Sequence, residues 1–234
     1  MSINNKNILG ITLARGGSKG ISKKNLSKIG EKRLIDYTIE EAKKSKYIDR
    51  YIVSTDSEEI ASHCKKKNID IPFLRPAALA TDKASSTDAL KHATAFCEKQ
   101  DSIVFEIVVE LMCTNPFKDV NDIDNCIELL EKNDAESVIG VSLVEEYHPA
   151  RLKKIENGKL YDFCVPELSG RRQDLRPKAY IRNGSIYALS RDYLMHKSLR
   201  FGGENSYGYI MPPEKSINID TPYDLELANI ILKK

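Results

Sequence analysis

The sequence predicts an α/β protein built on a mostly parallel sheet with helices on its faces. Three observations carry this. Short apolar runs alternate with segments of helical spacing along most of the chain, which is the rhythm of strand–helix–strand units. The rhythm is suspended between about Glu145 and Tyr180, where prolines, an Asn-Gly pair and charges crowd together; an inserted arm is expected there. A length of 234 residues suits one large domain, so residues 1–234 are read as a single unit carrying a small arm near 145–181.

The elements follow in order. Ile8 to Ala14 reads as a buried first strand, and Leu34 to Ala42 as a helix with Leu34, Ile35, Thr38, Ile39 and Ala42 on one face. Tyr51 to Ser54 is a short strand, Glu58 to Lys67 a helix with a lysine-rich end, and Ser86 to Lys99 another helix. Ile103 to Leu111 is the most hydrophobic strand. Val120 to Asn133 is a helix with Ile123, Ile127 and Leu130 together, and Ser137 to Val144 a further strand. After the arm, Ser185 to Leu189 resumes the core. Thr221 followed by Pro222 marks an N-cap with proline at the first helical position, opening a helix through Leu232.

Composition removes several function classes. Thirty-six Lys+Arg against 34 Asp+Glu leave a net charge of +2, which does not provide a broad basic face for nucleic acid. The five cysteines form no CxxC pair and have no zinc spacing; they read as free thiols of a reducing compartment. The run Ile8–Ala14 is far shorter than the roughly 20 apolar residues of a membrane span. It breaks into glycines rather than a cleavage site, so a cytoplasmic protein without membrane attachment is expected.

The first strand runs directly into Ala14-Arg15-Gly16-Gly17-Ser18-Lys19-Gly20. Glycines at the end of a strand let the backbone approach a ligand and turn its N–H groups toward anionic oxygens. Arg15 and Lys19 add a planar fork and a point charge, both suited to phosphate. The GxxxxGK[ST] pattern is absent, and no helix opens directly after the glycines, since Lys23-Lys24-Asn25-Leu26 intervenes. A tight turn with solvated charges is the alternative.

This loop, continued by Ile21 and Lys24-Asn25-Leu26, resembles the signature of the acylneuraminate cytidylyltransferase family. Further matches follow in order: Val53-Ser54-Thr55-Asp56, Arg75-Pro76-Ala77, Leu79-Ala80, Asp82, Ala84-Ser85-Ser86 and Thr114-Asn115-Pro116. Arg171 to Leu175, Asn183 to Tyr187, Ile219-Asp220-Thr221 and Asp224-Leu225 complete the set. The resemblance covers about residues 7 to 231. It implies a three-layer, Rossmann-like nucleotidyltransferase domain with a dimerisation arm, and transfer of CMP from CTP to the anomeric hydroxyl of a nine-carbon keto-acid sugar.

Residue by residue, the resemblance implies nucleotide binding by Ala14, Arg15, Gly16, Gly17 and Lys19, with Lys24 also on the triphosphate and Asn25 near the ribose. Arg75, Ala84 and Ser86 would read cytosine. The alternatives are a solvated strand end for Arg75 and a plain helix N-cap for Ser86. Met112, Thr114, Asn115, Arg172, Gln173, Tyr180, Arg182 and Asn183 would surround the sugar. Arg172 would face the C1 carboxylate, on an arm that crosses to the second subunit of a homodimer. Arg15, Lys19, Lys24 and Asp220 would carry catalysis, with Mg²⁺ held by Asn218 and Asp220.

Two departures shape the expectations. The family's Leu-Gln-Pro-Thr-Ser-Pro reads Leu111-Met112-Cys113-Thr114-Asn115-Pro116 here, and Met112 offers no useful donor or acceptor. A methyl or deoxy group is therefore expected beside it, as in a legionaminate-type acid. The family's Asp-x-Asp reads Asn218-Ile219-Asp220, leaving one carboxylate for metal; the alternative is that Asp220 caps the last helix. The segment Leu175-Arg176-Pro177-Lys178 is also one residue longer than the common pattern. Other functions stay open: a related acid such as pseudaminate or an octulosonate, another base such as that of GTP, or a non-catalytic nucleotide-sugar binding protein.

Overall fold

The computed structural model describes residues 3–233. Six strands form the main sheet: β1 (Ile8–Leu13), β2 (Arg50–Ser54), β3 (Ile107–Leu111), β4 (Ser137–Val144), β5 (Ala179–Ser190) and β6 (Ser206–Ile210). Their order is β6-β4-β5-β3-β1-β2. β1 pairs in parallel with β2 and β3, and β6 with β4, whereas β5 runs antiparallel between β3 and β4.

The helices are α1 (Leu34–Ala42), α2 (Glu58–Lys66), α3 (Ser86–Asp101), α4 (Val120–Lys132), α5 (Arg191–Met195) and α6 (Pro222–Ile231). Two apolar layers sandwich the sheet. Alternate residues of β1 divide between them: Ile8 packs with Val109, Ile123 and Ile127 on one side, while Leu9 and Ile11 pack with Leu90, Ala93 and Val108 on the other. The division follows from the period-two alternation of a strand buried on both faces.

Several boundaries differ from the expectation. The strand expected from Ile103 begins only at Ile107. Ile103 and Val104 are exposed, and the Phe105 N–H donates to Glu98 of α3, so this stretch joins α3 to β3 as irregular chain instead of pairing. The expected Ser185–Leu189 strand is the inner half of a twelve-residue strand whose outer half pairs with Leu143 and Val144. A register shift between Ile139 and Val141 divides the halves, and Gly184 opposite it sits at φ +63°, a backbone region open to glycine.

The arm holds a small antiparallel hairpin, Lys153–Glu156 with Lys159–Asp162, outside the main sheet. Asn157 and Gly158 turn it with φ of +51° and +79°, the positive values that a two-residue turn of this kind requires. Thr221 caps α6 and shares a reciprocal pair with Asp224. Among the described residues no helix is long and apolar enough to cross a membrane.

Candidate active site

The chain leaves β1 to one side for β2 and returns on the other for β3, so the order reverses between β1 and β3. Ligands of open α/β sheets settle beyond the carboxyl ends of the strands at such a point. A cavity of about 290 Å³ lies there, lined by Leu13 and Arg15 after β1, Glu110 and Met112 at the end of β3, and Arg75, Ala84 and Ser86 from the intervening chain.

The glycine loop forms its rim and is braced from below. Gly16 N–H donates to Asp56 Oδ1 at 2.8 Å, and Asn25 Nδ2 donates to the Arg15 carbonyl at 3.0 Å. A Cβ at Gly20 would overlap the carbonyl oxygen of Asp220, so only glycine lets the loop lie against that segment. Asp82 sits between the two cations, 2.9 Å from Arg15 Nη1 and 3.1 Å from Lys19 Nζ. The hydrogen bond from Lys19, then that from Arg15, holds the Asp82 carboxyl below the usual range. Ala14 is buried beneath the loop, and its N–H donates to Ser54.

Arg75 is buried, not a solvated strand end. Its Nε donates to Ser54 Oγ at 3.0 Å and Nη2 to the Ser54 carbonyl, so the guanidinium is fixed in the cavity wall. Burial lowers its pKa, opposed chiefly by the Asp56 carboxylate. The N-cap of α3 is Ser85, whose side chain accepts from Thr87 N–H; Ser86 is the first helical residue and lines the cavity with it.

A second cavity of about 550 Å³ shares Met112 with the first. It is lined by Ser142, Arg182, Asn183, Tyr187, Arg200, Asn218 and their neighbours. Glu110, a charged residue inside a wholly buried strand, is paired with Arg200. Burial raises the Glu110 pKa and the guanidinium opposes that rise. The pair separates the two cavities, Glu110 facing the first and Arg200 the second.

A cytidylyltransferase family model matches residues 9–226. The chain belongs to the cytidylyltransferase family. It is 31% identical over 225 residues to the CMP-N,N'-diacetyllegionaminic acid synthase of Campylobacter jejuni, covering 96% of this chain and 94% of that protein. It is 32% identical over 228 residues to the N-acylneuraminate cytidylyltransferase of Escherichia coli O18:K1:H7, covering 97% of this chain but 52% of that one. The fold is also that of a CMP:2-keto-3-deoxy-manno-octonic acid synthetase solved with CTP: TM-score 0.72, 17% identity, 97% of this chain and 99% of the other.

In this cytidylyltransferase Asn218 lines the second cavity, and Asp220 lies beside it. Lys24 Nζ lies 2.8 Å from Asp220 Oδ1, and Asn218 Nδ2 donates to Asp220 Oδ2. Helix capping falls to Thr221 and Asp224, so the Asp220 side chain is not spent on the helix. The Asn218 carbonyl oxygen is buried without a partner. One carboxylate and one unpaired amide oxygen are hard-oxygen donors of the kind a magnesium ion takes alongside waters and phosphates, and such an ion would displace Lys24 or the Asn218 amide nitrogen from Asp220.

Other expected residues fall elsewhere. Asn115 is wholly buried and lines neither cavity; its Oδ1 accepts from Ser185 Oγ at 3.0 Å. Thr114 lines the first cavity with a buried, unpartnered hydroxyl. Arg172 and Gln173 line a separate shallow cavity with Glu145 and His148, and Tyr180 lines an apolar groove with Val165 and Leu168. One chain does not bring these three to the cleft.

The structure adds a residue that motif reading passed over. Lys118 is buried, and its ammonium donates to Thr38 Oγ1 at 3.0 Å, to the Met112 carbonyl at 2.8 Å and to the Asn115 carbonyl. It ties together the loop that carries Met112 and Thr114. Burial pushes its pKa down to about 7. A lysine two residues after a proline carries no sequence signal of such burial.

Proposed function

We propose that this cytidylyltransferase transfers CMP from CTP to the anomeric hydroxyl of a nonulosonic acid and releases pyrophosphate. The carrying observation is the pair of cavities meeting at Met112 on the switch point of the sheet, one rimmed by the cationic glycine loop and the other holding Arg182, Asn183 and Arg200. The names of the Campylobacter and Escherichia relatives support an acid of this class.

Arg75 offers fixed donors to the acceptor edge of cytosine, in a cavity at the small end of ligand sites. Arg15, Lys19 and Lys24 balance the triphosphate and then the departing pyrophosphate. The acid sugar enters the second cavity, and its anomeric oxygen approaches the α-phosphorus opposite the leaving oxygen. The oxygen–phosphorus bond forms as the bridge to the β-phosphate breaks, and the hydroxyl proton passes to solvent. No covalent enzyme intermediate is required; positioning and charge neutralisation carry the rate. Asn218 and Asp220 would hold Mg²⁺, which supplies charge neutralisation on the phosphates.

The protein works as a cytoplasmic homodimer on this reading. Tyr147, Ile155, Leu160, Phe163 and Leu168 leave the arm with a largely exposed apolar surface, more than isolated surface residues leave. Pairing of two arms would cover it and could deliver Arg172 and Gln173 to the partner's second cavity, where Arg172 suits a carboxylate. Pyrophosphate release from CTP with a panel of nonulosonic and octulosonic acids tests the function. Release with a nonulosonic acid is expected; release with none of them contradicts it.

A further inference from the structure

Arg200 is neither part of the family signature nor expected from the sequence, yet it occupies the wall of the second cavity. Its guanidinium carbon lies 3.9 Å from the centroid of the Tyr187 ring, and its Nε bonds Glu110. Nη2 lies 3.2 Å from Met112 Sδ, and no hydrogen bond of Nη1 is made among the described residues. A thioether is a weak acceptor. A guanidinium whose side chain is 12% exposed therefore presents most of its Nη donors to the cavity without a full-strength partner.

Met112 thus does not make the cavity wall apolar. Its sulfur is covered by a donor group, and the polar function missing at position 112 is supplied from position 200. The charge of Arg200 is already balanced by Glu110, so the fitting ligand atom is a neutral acceptor oxygen. Arg182 differs: it is exposed, stacked 3.7 Å over the Phe201 ring, and in no ion pair among the described residues. Within one chain it is the cation of this cavity that no acidic side chain balances among the described residues, so it can face a carboxylate together with an Arg172 delivered by a second subunit.

We propose that Arg200 determines sugar specificity by donating hydrogen bonds to a neutral oxygen of the acid, a hydroxyl or an acyl carbonyl. The inference rests on the function proposed above. It replaces the expectation of a methyl or deoxy group beside Met112 with an oxygen-bearing one.

The test uses the full-length enzyme with the best acid of the panel and with deoxy and deacylated analogues of it. Arg200→Lys keeps a cation on Glu110 but loses the fork; Arg200→Met removes every donor, and if it fails to fold the lysine variant decides. The expected result is a KM for the acid raised about tenfold or more in Arg200→Lys with the KM for CTP changed less than about twofold. One analogue should also be about tenfold poorer than the parent acid with wild type and equal to it with the variant. Equal shifts in both KM values, or an unchanged ranking of the analogues, would overturn the assignment and leave the function standing. Wild-type enzyme that releases pyrophosphate with no acid would overturn both.

Discussion

Lys24 and Asp220, 196 residues apart in sequence, meet at 2.8 Å beside the glycine loop. The contact joins the start of the chain to its last helix and places the carboxylate next to a cation expected to face the triphosphate. With Asn218 on its other oxygen, Asp220 is the only carboxylate of its motif.

A metal prediction follows from that pair. Asp220→Asn removes the last negative charge of the motif, so activity should fall at least about a hundredfold and not recover on raising Mg²⁺. Asn218→Asp restores a second carboxylate and should lower the Mg²⁺ concentration needed for half-maximal rate. Rates measured across a magnesium titration in both variants check this; full activity in Asp220→Asn would contradict it.

The loop cations make a second prediction. Asp82 holds Arg15 and Lys19 where an anion would bind, and triphosphate should displace it. Arg15→Ala or Lys19→Ala should reduce turnover by about tenfold or more, since charge-assisted contacts contribute roughly 1.5–3 kcal/mol. The loop is braced by Asp56 and Asn25, and the two side chains reach only Asp82 and the Thr81 carbonyl, so melting temperatures should stay near wild type. Steady-state rates together with thermal melts separate a ligand role from a structural one.

Nucleotide choice gives a third. Arg75, fixed to Ser54, lines the first cavity, and no hydrogen bond of its Nη1 is made among the described residues, which leaves donors for the acceptor edge of cytosine. Thermal shifts should be largest with CTP and clearly smaller with GTP and ATP, and Arg75→Met should erase the difference. Comparable shifts with all three nucleotides in the wild type would contradict this.

Lys118 supplies a pH-dependent prediction. Its pKa in the folded protein is about 7, against an ordinary lysine near 10.4 when unfolded. Above about pH 7 the unfolded chain therefore holds a proton that the folded chain has released, and the stability contribution rises with pH. Urea unfolding at about pH 7 and about pH 8.5 should show wild type gaining about 1 kcal/mol or more relative to Lys118→Met. The buried cysteines stay protonated in the fold over this range with or without Lys118, whose charge only offsets part of the upward shift of Cys113, so their contribution is the same in both proteins. A gap independent of pH would contradict the displaced lysine.

The sequence made much of this legible because local signals agreed with the fold. Leu34–Ala42 and Ser137–Val144 have the bounds read from the sequence, since the helix keeps apolar residues at helical spacing along its length and the strand is an apolar run buried on both faces. The edge strand Ser206–Ile210 escaped notice: it is half exposed and centred on Gly208, so it lacks alternation. The glycine loop was readable because its residues are contiguous. The Glu110–Arg200 pair was not, since it joins a strand residue to a loop residue 90 positions further along the chain. Glu110 inside Ile-Val-Val-Glu-Leu was the available hint, because a charge in a buried strand requires a partner.

Mass analysis of the reaction product tests transfer itself most directly. Enzyme, CTP, Mg²⁺ and the panel of acids are incubated together, and the product is identified by its mass. One nonulosonic acid should be converted to a species heavier by a cytidylyl group, in amounts equal to the pyrophosphate released. Pyrophosphate accompanied only by free CMP, or a nucleotidyl product made from GTP and not from CTP, would contradict CMP transfer to the acid.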